Sequence, residues 1–210
     1  MSVHFLGGRM NLKSPERTQQ LLEAAATCFA RRGFHPTTMD EIAREAGVSA
    51  GLIYRHFASK EDLIAALVEQ YYQAEQAYVA ELGRQSSLTA ALDQFLSPAT
   101  GELSPRTEGL LSAEIVAEAL RNPRIEALVR AGDDAVFEAL VVLFADAQAR
   151  GEAPPALAPA LAAELVLMLR EGLRLRAAFA SPEEQDELES QHSHVQRAYR
   201  RMLGMSESLS

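Results

Sequence analysis

Apolar residues recur every three or four positions along most of the chain, and no run alternates apolar with polar residues as a half-buried strand would. The pattern predicts an all-α protein of about nine helices. Met39, Ile42, Ala43 and Ala46 form one short apolar stripe. Thr38, with Glu41 three residues on, is a capping-box pair, so a helix is expected to start near Met39. Gly47 is placed to end it, because glycine adopts positive φ without a Cβ clash. Ser49 is the expected N-cap of a second short helix. That helix buries Ile53 and Phe57 and leaves Ala50, Gly51, Leu52, Tyr54, Arg55 and His56 mostly outside. Ser59 opens a further helix, with Asp62 at the capping-box position.

Leu63, Leu67, Tyr71, Ala74, Tyr78 and Leu82 continue at helical spacing, predicting one long helix from about Lys60 to Arg84. A short helix follows over Leu88–Leu96, then a loop marked by Pro98, Gly101 and Pro105. Glu108–Leu120 resumes the pattern. Asn122-Pro123 turns a corner into a helix reaching about Arg150, since proline suits a first helical turn. Gly151–Pro155 is a turn, Leu157–Phe179 is strongly apolar, and Ser181-Pro182 starts a last helix to about Leu203. Residues 1–13 and 205–210 are expected to fray. Leu161, Leu165, Val166, Leu169 and Leu173 are more apolar than one helix needs. With Val195, Tyr199 and Leu203 they form either half of a four-helix interface between two copies or the closing layer of the monomer core.

The two short helices carry the functional signal. A small residue at Ala43 lets two helices cross closely, Gly47 makes the bend, and Ile53 locks the second helix against the first. This suits a helix-turn-helix whose second helix is bare at its front and aromatic at its back, a shape that fits a DNA major groove. An ordinary pair of packed helices, or a helix-turn-helix used only for protein contacts, remains the alternative. Charge adds to the picture. The net charge of −9 looks wrong for a DNA binder, but residues 1–60 hold eight Lys and Arg against five Asp and Glu, while the remainder holds twelve against twenty-four. Only the basic front should approach a polyphosphate.

The wider window is more specific. From about Arg17 to Leu67, the stretches AAATCFARRGFHPTTMDEIAREAGVS and GLIYRHFASKEDLI resemble the N-terminal domain of the TetR family of transcriptional regulators. The resemblance rests on Arg32-Gly33-Phe34, the threonine pair, the Ala-Gly-Val turn, the Tyr-x-x-Phe ending and the Ser-Lys-Glu-Asp-Leu helix start. It implies a flexible arm over 1–13, a three-helix DNA-binding domain over 14–60, and a helical ligand-sensing and dimerisation domain over 61–210. It also implies a homodimer through the last two helices, a near-palindromic double-stranded DNA operator, a repressor released by a small-molecule inducer, and movement of the long fourth helix on ligand binding.

The DNA-binding roles follow as expectations. Thr37 and Thr38 would bond a phosphate through hydroxyl and backbone N–H groups. Ser49, Ala50 and Gly51 are small enough to bring backbone close to the groove floor. Tyr54 would meet a thymine methyl or a phosphate, or else pack as a partly buried ring. Arg55 would reach a guanine edge or a phosphate, or remain a solvated charge. His56 and Lys60 match positions that contact the DNA backbone in the family. Ala50 and Gly51 depart from relatives with long polar side chains there, leaving more to Tyr54, Arg55 and DNA shape.

Candidate effector contacts are polar or aromatic residues set in apolar helices: Tyr71, Tyr78, Phe95, Glu114, Glu118, Phe137, Met168 and Glu171. Inward-facing Glu114 and Glu171 would favour a cationic ligand; Arg174 or Arg121 paired to them would leave a neutral, apolar pocket. The single cysteine, Cys28, lies on the apolar side of the first helix and reads as a buried thiol, suited to a reducing cytoplasm. Nothing spans a membrane, and the N-terminus lacks a cleavable apolar run. No phosphate loop, G-x-S-x-G or H-E-x-x-H is present. His192 and His194 are two apart on a helix, a poor metal pair. Neither enzyme, cofactor nor metal is therefore expected; a helical carrier or enzyme without DNA binding is the competing reading.

Overall fold

The computed structural model describes residues 15–85, 87–97, 103–181 and 184–204, with backbone only at 85 and 185–193. Among these it places nine helices and no strand: α1 (Pro15–Arg32), α2 (Met39–Glu45), α3 (Ala50–His56), α4 (Lys60–Gln85), α5 (Leu88–Phe95), α6 (Pro105–Ala119), α7 (Pro123–Ala149), α8 (Pro159–Phe179) and α9 (Gln185–Met202). The predicted frayed termini and the Pro98–Gly101 part of the loop lie outside the described residues.

Capping chemistry explains most of the starts. Thr38 accepts the Glu41 N–H while the Glu41 carboxylate accepts the Thr38 N–H at 2.9 Å, so both halves of the capping box form. Ser87, Ser104 and Asn122 each accept a backbone N–H at the head of α5, α6 and α7. Ser104 corrects the sequence reading of α6. It caps a helix that starts at Pro105, three residues earlier than the predicted Glu108 start, so Pro105 fills the first turn instead of the loop. Ser49 holds the expected N-cap position of α3, although its hydroxyl makes no cap bond.

Contacts divide the chain into two units, Met1–Leu67 and Val68–Ser210, with the division inside α4. In the first unit Leu21, Ala25, Phe29, Phe34, Ile42, Ala43, Ile53, Phe57 and Leu63 are buried. Phe29 and Phe34 meet edge-to-face at 4.6 Å, just past the turn where Gly33 takes φ +83. Gly47 takes φ +65 between α2 and α3, the conformation the turn required.

The core of the second unit is drawn from α4, α5, α7, α8 and the α9 end: Val79, Leu82, Leu88, Leu92, Phe95, Val136, Leu140, Phe144, Val166, Tyr199 and Leu203. Several residues read as a surface between copies therefore belong to the monomer. Val166 is buried, and Leu165, Leu169 and Leu173 pack against the core. Tyr199 and Leu203 are buried too, the Tyr199 hydroxyl donating to Asp93 Oδ1 at 3.0 Å. What α8 leaves outside is Leu161, Met168, Leu175 and Phe179, each more than half exposed.

Candidate nucleic-acid interface and buried ion cluster

In the helix-turn-helix, α2 and α3 are each seven residues long and cross where Ala43 and Ile53 are fully buried. The α3 surface divides sharply. Ile53 and Phe57 face in; Ser49, Ala50, Gly51, Tyr54 and Arg55 face out. Tyr54 is 52% exposed. A Cβ at Gly51 would meet nothing within 4 Å, so the front of α3 is open. These five residues, from the N-cap to the last turn, make up the accessible side of α3.

Four neighbouring residues are placed differently from the sequence reading. Thr37 is buried, and its hydroxyl donates to the Gly33 carbonyl at 2.8 Å, so that hydroxyl is not offered to a phosphate. Thr38 is exposed, but the capping box with Glu41 occupies both its hydroxyl and its backbone N–H. Lys60 folds back: its ammonium donates to the carbonyls of Phe34, His35 and Thr37 at 2.8, 2.8 and 3.0 Å. An ammonium has three protons, so all are engaged in the α1–α2 loop. His56 is half-buried, with Nδ1 3.2 Å from Thr18 Oγ1 of α1. Beside this region Cys28 is buried; burial, then Glu45, push its thiol above the usual range.

The second unit contains a cluster that joins Arg174 to Glu75, Glu108 and Arg170, three residues the sequence does not single out. Arg170 and Arg174, one turn apart on α8, are 4% and 9% exposed, and Glu75 of α4 and Glu108 of α6 are 9% and 8% exposed. Arg170 reaches Glu75 Oε1 through Nε at 2.9 Å and Nη2 at 2.7 Å. Arg174 Nη2 bonds the same oxygen and lies 3.2 Å from Glu108 Oε1. Arg170 Nη1 donates to the Phe95 carbonyl, and its guanidinium sits 4.1 Å over the Phe95 ring. Arg174 lies 5.3 Å from the Tyr71 ring centre and bonds Glu171 through Nη1 at 3.0 Å.

Charge is locked in this cluster. Burial opposes ionisation of Glu75, but Arg170 and Arg174 outweigh it and hold the carboxyl below its ordinary range. Burial pushes the Tyr71 hydroxyl far up, so it stays a neutral O–H. That O–H and the Arg174 Nε–H are both buried and have no hydrogen-bond partner among the described residues. A cleft of about 10 Å³ lies against Glu108, Arg170 and Arg174, walled by Leu96, Ser97, Pro105, Leu173 and Ala177. That is room for one water molecule.

Residues 21–67 match the model of bacterial regulatory proteins of the tetR family, and residues 84–204 match the C-terminal model of BetI-type transcriptional repressors. The chain belongs to the TetR family. It is similar to the HTH-type transcriptional regulator UidR of Escherichia coli (strain K12), at 31% identity over 159 residues, covering 76% of this chain and 80% of that protein. Among solved structures it resembles Salmonella enterica GusR, at 26% identity and a TM-score of 0.66, covering 93% of this chain and all of that one. A TetR-family regulator from Rhodococcus sp. superposes with a TM-score of 0.72 at 25% identity, over 90% of this chain and 100% of that one. This TetR-family protein is a ligand-responsive, DNA-binding transcriptional regulator.

The effector candidates read from the sequence are scattered in this TetR-family fold. Tyr71 and Phe95 join the ion cluster, and Glu171 reaches it from an exposed position. Glu118 pairs with Arg121 at 2.9 Å. Tyr78 and Phe137 pack against the core, Glu114 is half-buried, and Met168 is 63% exposed, not an interior lining residue. The condition for a cationic ligand, Glu114 and Glu171 both facing inward, is not met: Glu171 is exposed and is satisfied by Arg174. No group of three or more potential metal ligands occurs among the described residues, and no described helix is long and apolar enough to cross a membrane.

Proposed function

We propose that the protein is a repressor that binds a near-palindromic operator as a homodimer and leaves it when a small molecule enters the second unit. The observation that carries the DNA half is the open end of α3: Tyr54 and Arg55 exposed beside a front of Ser49, Ala50 and Gly51. Tyr54 and Arg55 read the groove, and backbone at the small front residues approaches it closely. Lys60, Thr37 and His56 act one layer back, fixing the loop and the α1–α3 junction on which α3 rests. The BetI-type repressor match supports the sign of regulation.

Dimerisation is supported by α8. Leu161, Met168 and Leu175 recur at seven-residue spacing, with Phe179 one turn on, all exposed in the single chain. A two-fold pair gives one α3 per half-site. Coupling between the units runs through α4, which starts in the first unit and carries Tyr71 and Glu75 in the second. An inducer acts if it prefers the form that no longer matches the half-site spacing. The protein works in the cytoplasm, where the DNA is, and has no catalytic step. A mobility shift on selected DNA at rising salt tests the reading. Binding should weaken linearly in log–log form and should fall at least tenfold in Tyr54→Ala; salt-independent binding, or a Tyr54→Ala variant equal to wild type, contradicts it.

A further inference from the structure

The buried arginine pair of α8 is built unevenly. Glu75 holds both guanidiniums tightly: Arg170 grips its Oε1 with two nitrogens at 2.7 and 2.9 Å, and Arg174 bonds the same atom. Glu108 is the looser anion. Its Oε1 lies 3.2 Å from Arg174 and 3.8 Å from Arg170, farther than the Glu75 oxygen. Glu108, and not Glu75, lines the small cleft, together with both arginines. Of the cleft's lining groups, the Arg174 Nε–H, which can only donate, has no acceptor among the described residues. A buried donor without an acceptor is costly and rare, so a group rich in acceptor oxygens belongs beside it.

A carboxylate is that group. It matches a guanidinium edge bidentately, and Arg174 Nε with one Nη forms such an edge. The cleft walls away from the arginines are Leu96, Pro105, Leu173 and Ala177, which suit an apolar body. With room for one water only, the cleft accepts a ligand when the Glu108 side chain swings away; charge balance is then kept, because one carboxylate replaces another.

We propose that Arg170 and Arg174 form the receptor for the effector, a small organic carboxylate with an apolar body, which displaces Glu108 and takes its place on Arg174. The proposal rests on the ligand-responsive reading above and names the ligand class. Glu108 is then a built-in stand-in that holds the arginines in the unliganded protein. Exchange alters the partners of Glu75, and so of α4.

The test removes the stand-in. Glu108→Ala leaves a carboxylate-sized space, which sodium formate should fill. Formate should raise the Tm of this variant saturably by about 3–6 °C over sodium chloride at equal ionic strength. If the variant is unfolded in buffer, formate and not chloride should restore its far-ultraviolet helical signal. Glu108→Gln fills the space and should show no formate effect. In the wild-type chain benzoate should raise Tm where benzamide does not. Equal effects of formate and chloride, an equal formate effect in Glu108→Gln, or equal or absent shifts with benzoate and benzamide would overturn the assignment. None of these arms involves DNA. A separate arm measures selected-operator affinity of Glu108→Ala in formate. Weakening supports a sensing role, and unchanged affinity despite the Tm gain overturns it. Failure to select any DNA would instead sink the DNA-binding reading, leaving the thermal arms to judge the site.

Discussion

Single side chains decide how the reading end is built. Arg55 is exposed on α3 beside Tyr54, free of the loop that absorbs Lys60. Arg55→Ala is expected to relax base preference at one operator position by about 1–3 kcal/mol, read from the selected-site pattern; an unaltered pattern would make it a surface charge. Lys60→Ala carries a different expectation from that of a phosphate contact. It removes three bonds to loop carbonyls and should lower stability by about 1–3 kcal/mol, seen as a fall in urea midpoint. The motif marked Thr37 and Lys60 as residues of this surface, but not which way they turn. Their direction is set by where the carbonyls after Gly33 point, a tertiary fact with no local spacing. Glu75 gives a pH prediction. Its carboxyl is held below its ordinary value of 4.5 in the folded chain, so in between the unfolded chain binds more protons. Its stabilisation is therefore full above pH 4.5 and is lost as pH falls through the lower folded value. Glu75→Gln should lose stability near neutrality and show a flatter acid limb in chemical denaturation.

At the scale of elements, most helix positions were legible, because capping residues and apolar spacing are local. Phase was less so. The stripe on α4 was read through Ala74 and Tyr78, whereas Glu75 and Val79 are the buried positions and Ala74 is exposed. One residue is about 100° of rotation, enough to hide the buried glutamate. On α8 the stripe through Ala163 and Val166 continues at helical spacing onto Arg170 and Arg174. Assigning charged residues to the solvent by default misses this, although arginine inside LVLMLREGLRLR was the available signal. Packing of α6 on α8 explains Gly109. A Cβ there would lie 2.9 Å from the Ala178 N and 3.1 Å from its Cβ, and would also strike the Arg174 carbonyl. Gly109→Ala must push backbone against backbone, so a loss of about 1–3 kcal/mol or more is expected in thermal melts. Equal stability would mean that α6 and α8 are free to separate.

For the whole molecule, assembly and charge matter most. Met168→Glu with Leu175→Glu should yield folded monomers by analytical ultracentrifugation, since both side chains are exposed on α8 and touch little of the core. A persisting dimer would move the interface elsewhere. Length and composition gave the apolar surplus of α8 but not its allocation: core claims Val166, and solvent receives Met168 and Phe179. Charge is legible from sequence alone, with residues 1–60 basic and the rest acidic. Above all, the open side of α3 is expected to read duplex DNA. Selection of binding sites from random duplexes by the purified full chain tests it most directly. Enrichment of a near-palindromic site whose half-site pattern changes in Arg55→Ala is expected. No enriched sequence, or one indifferent to Tyr54→Ala and Arg55→Ala alike, would contradict it.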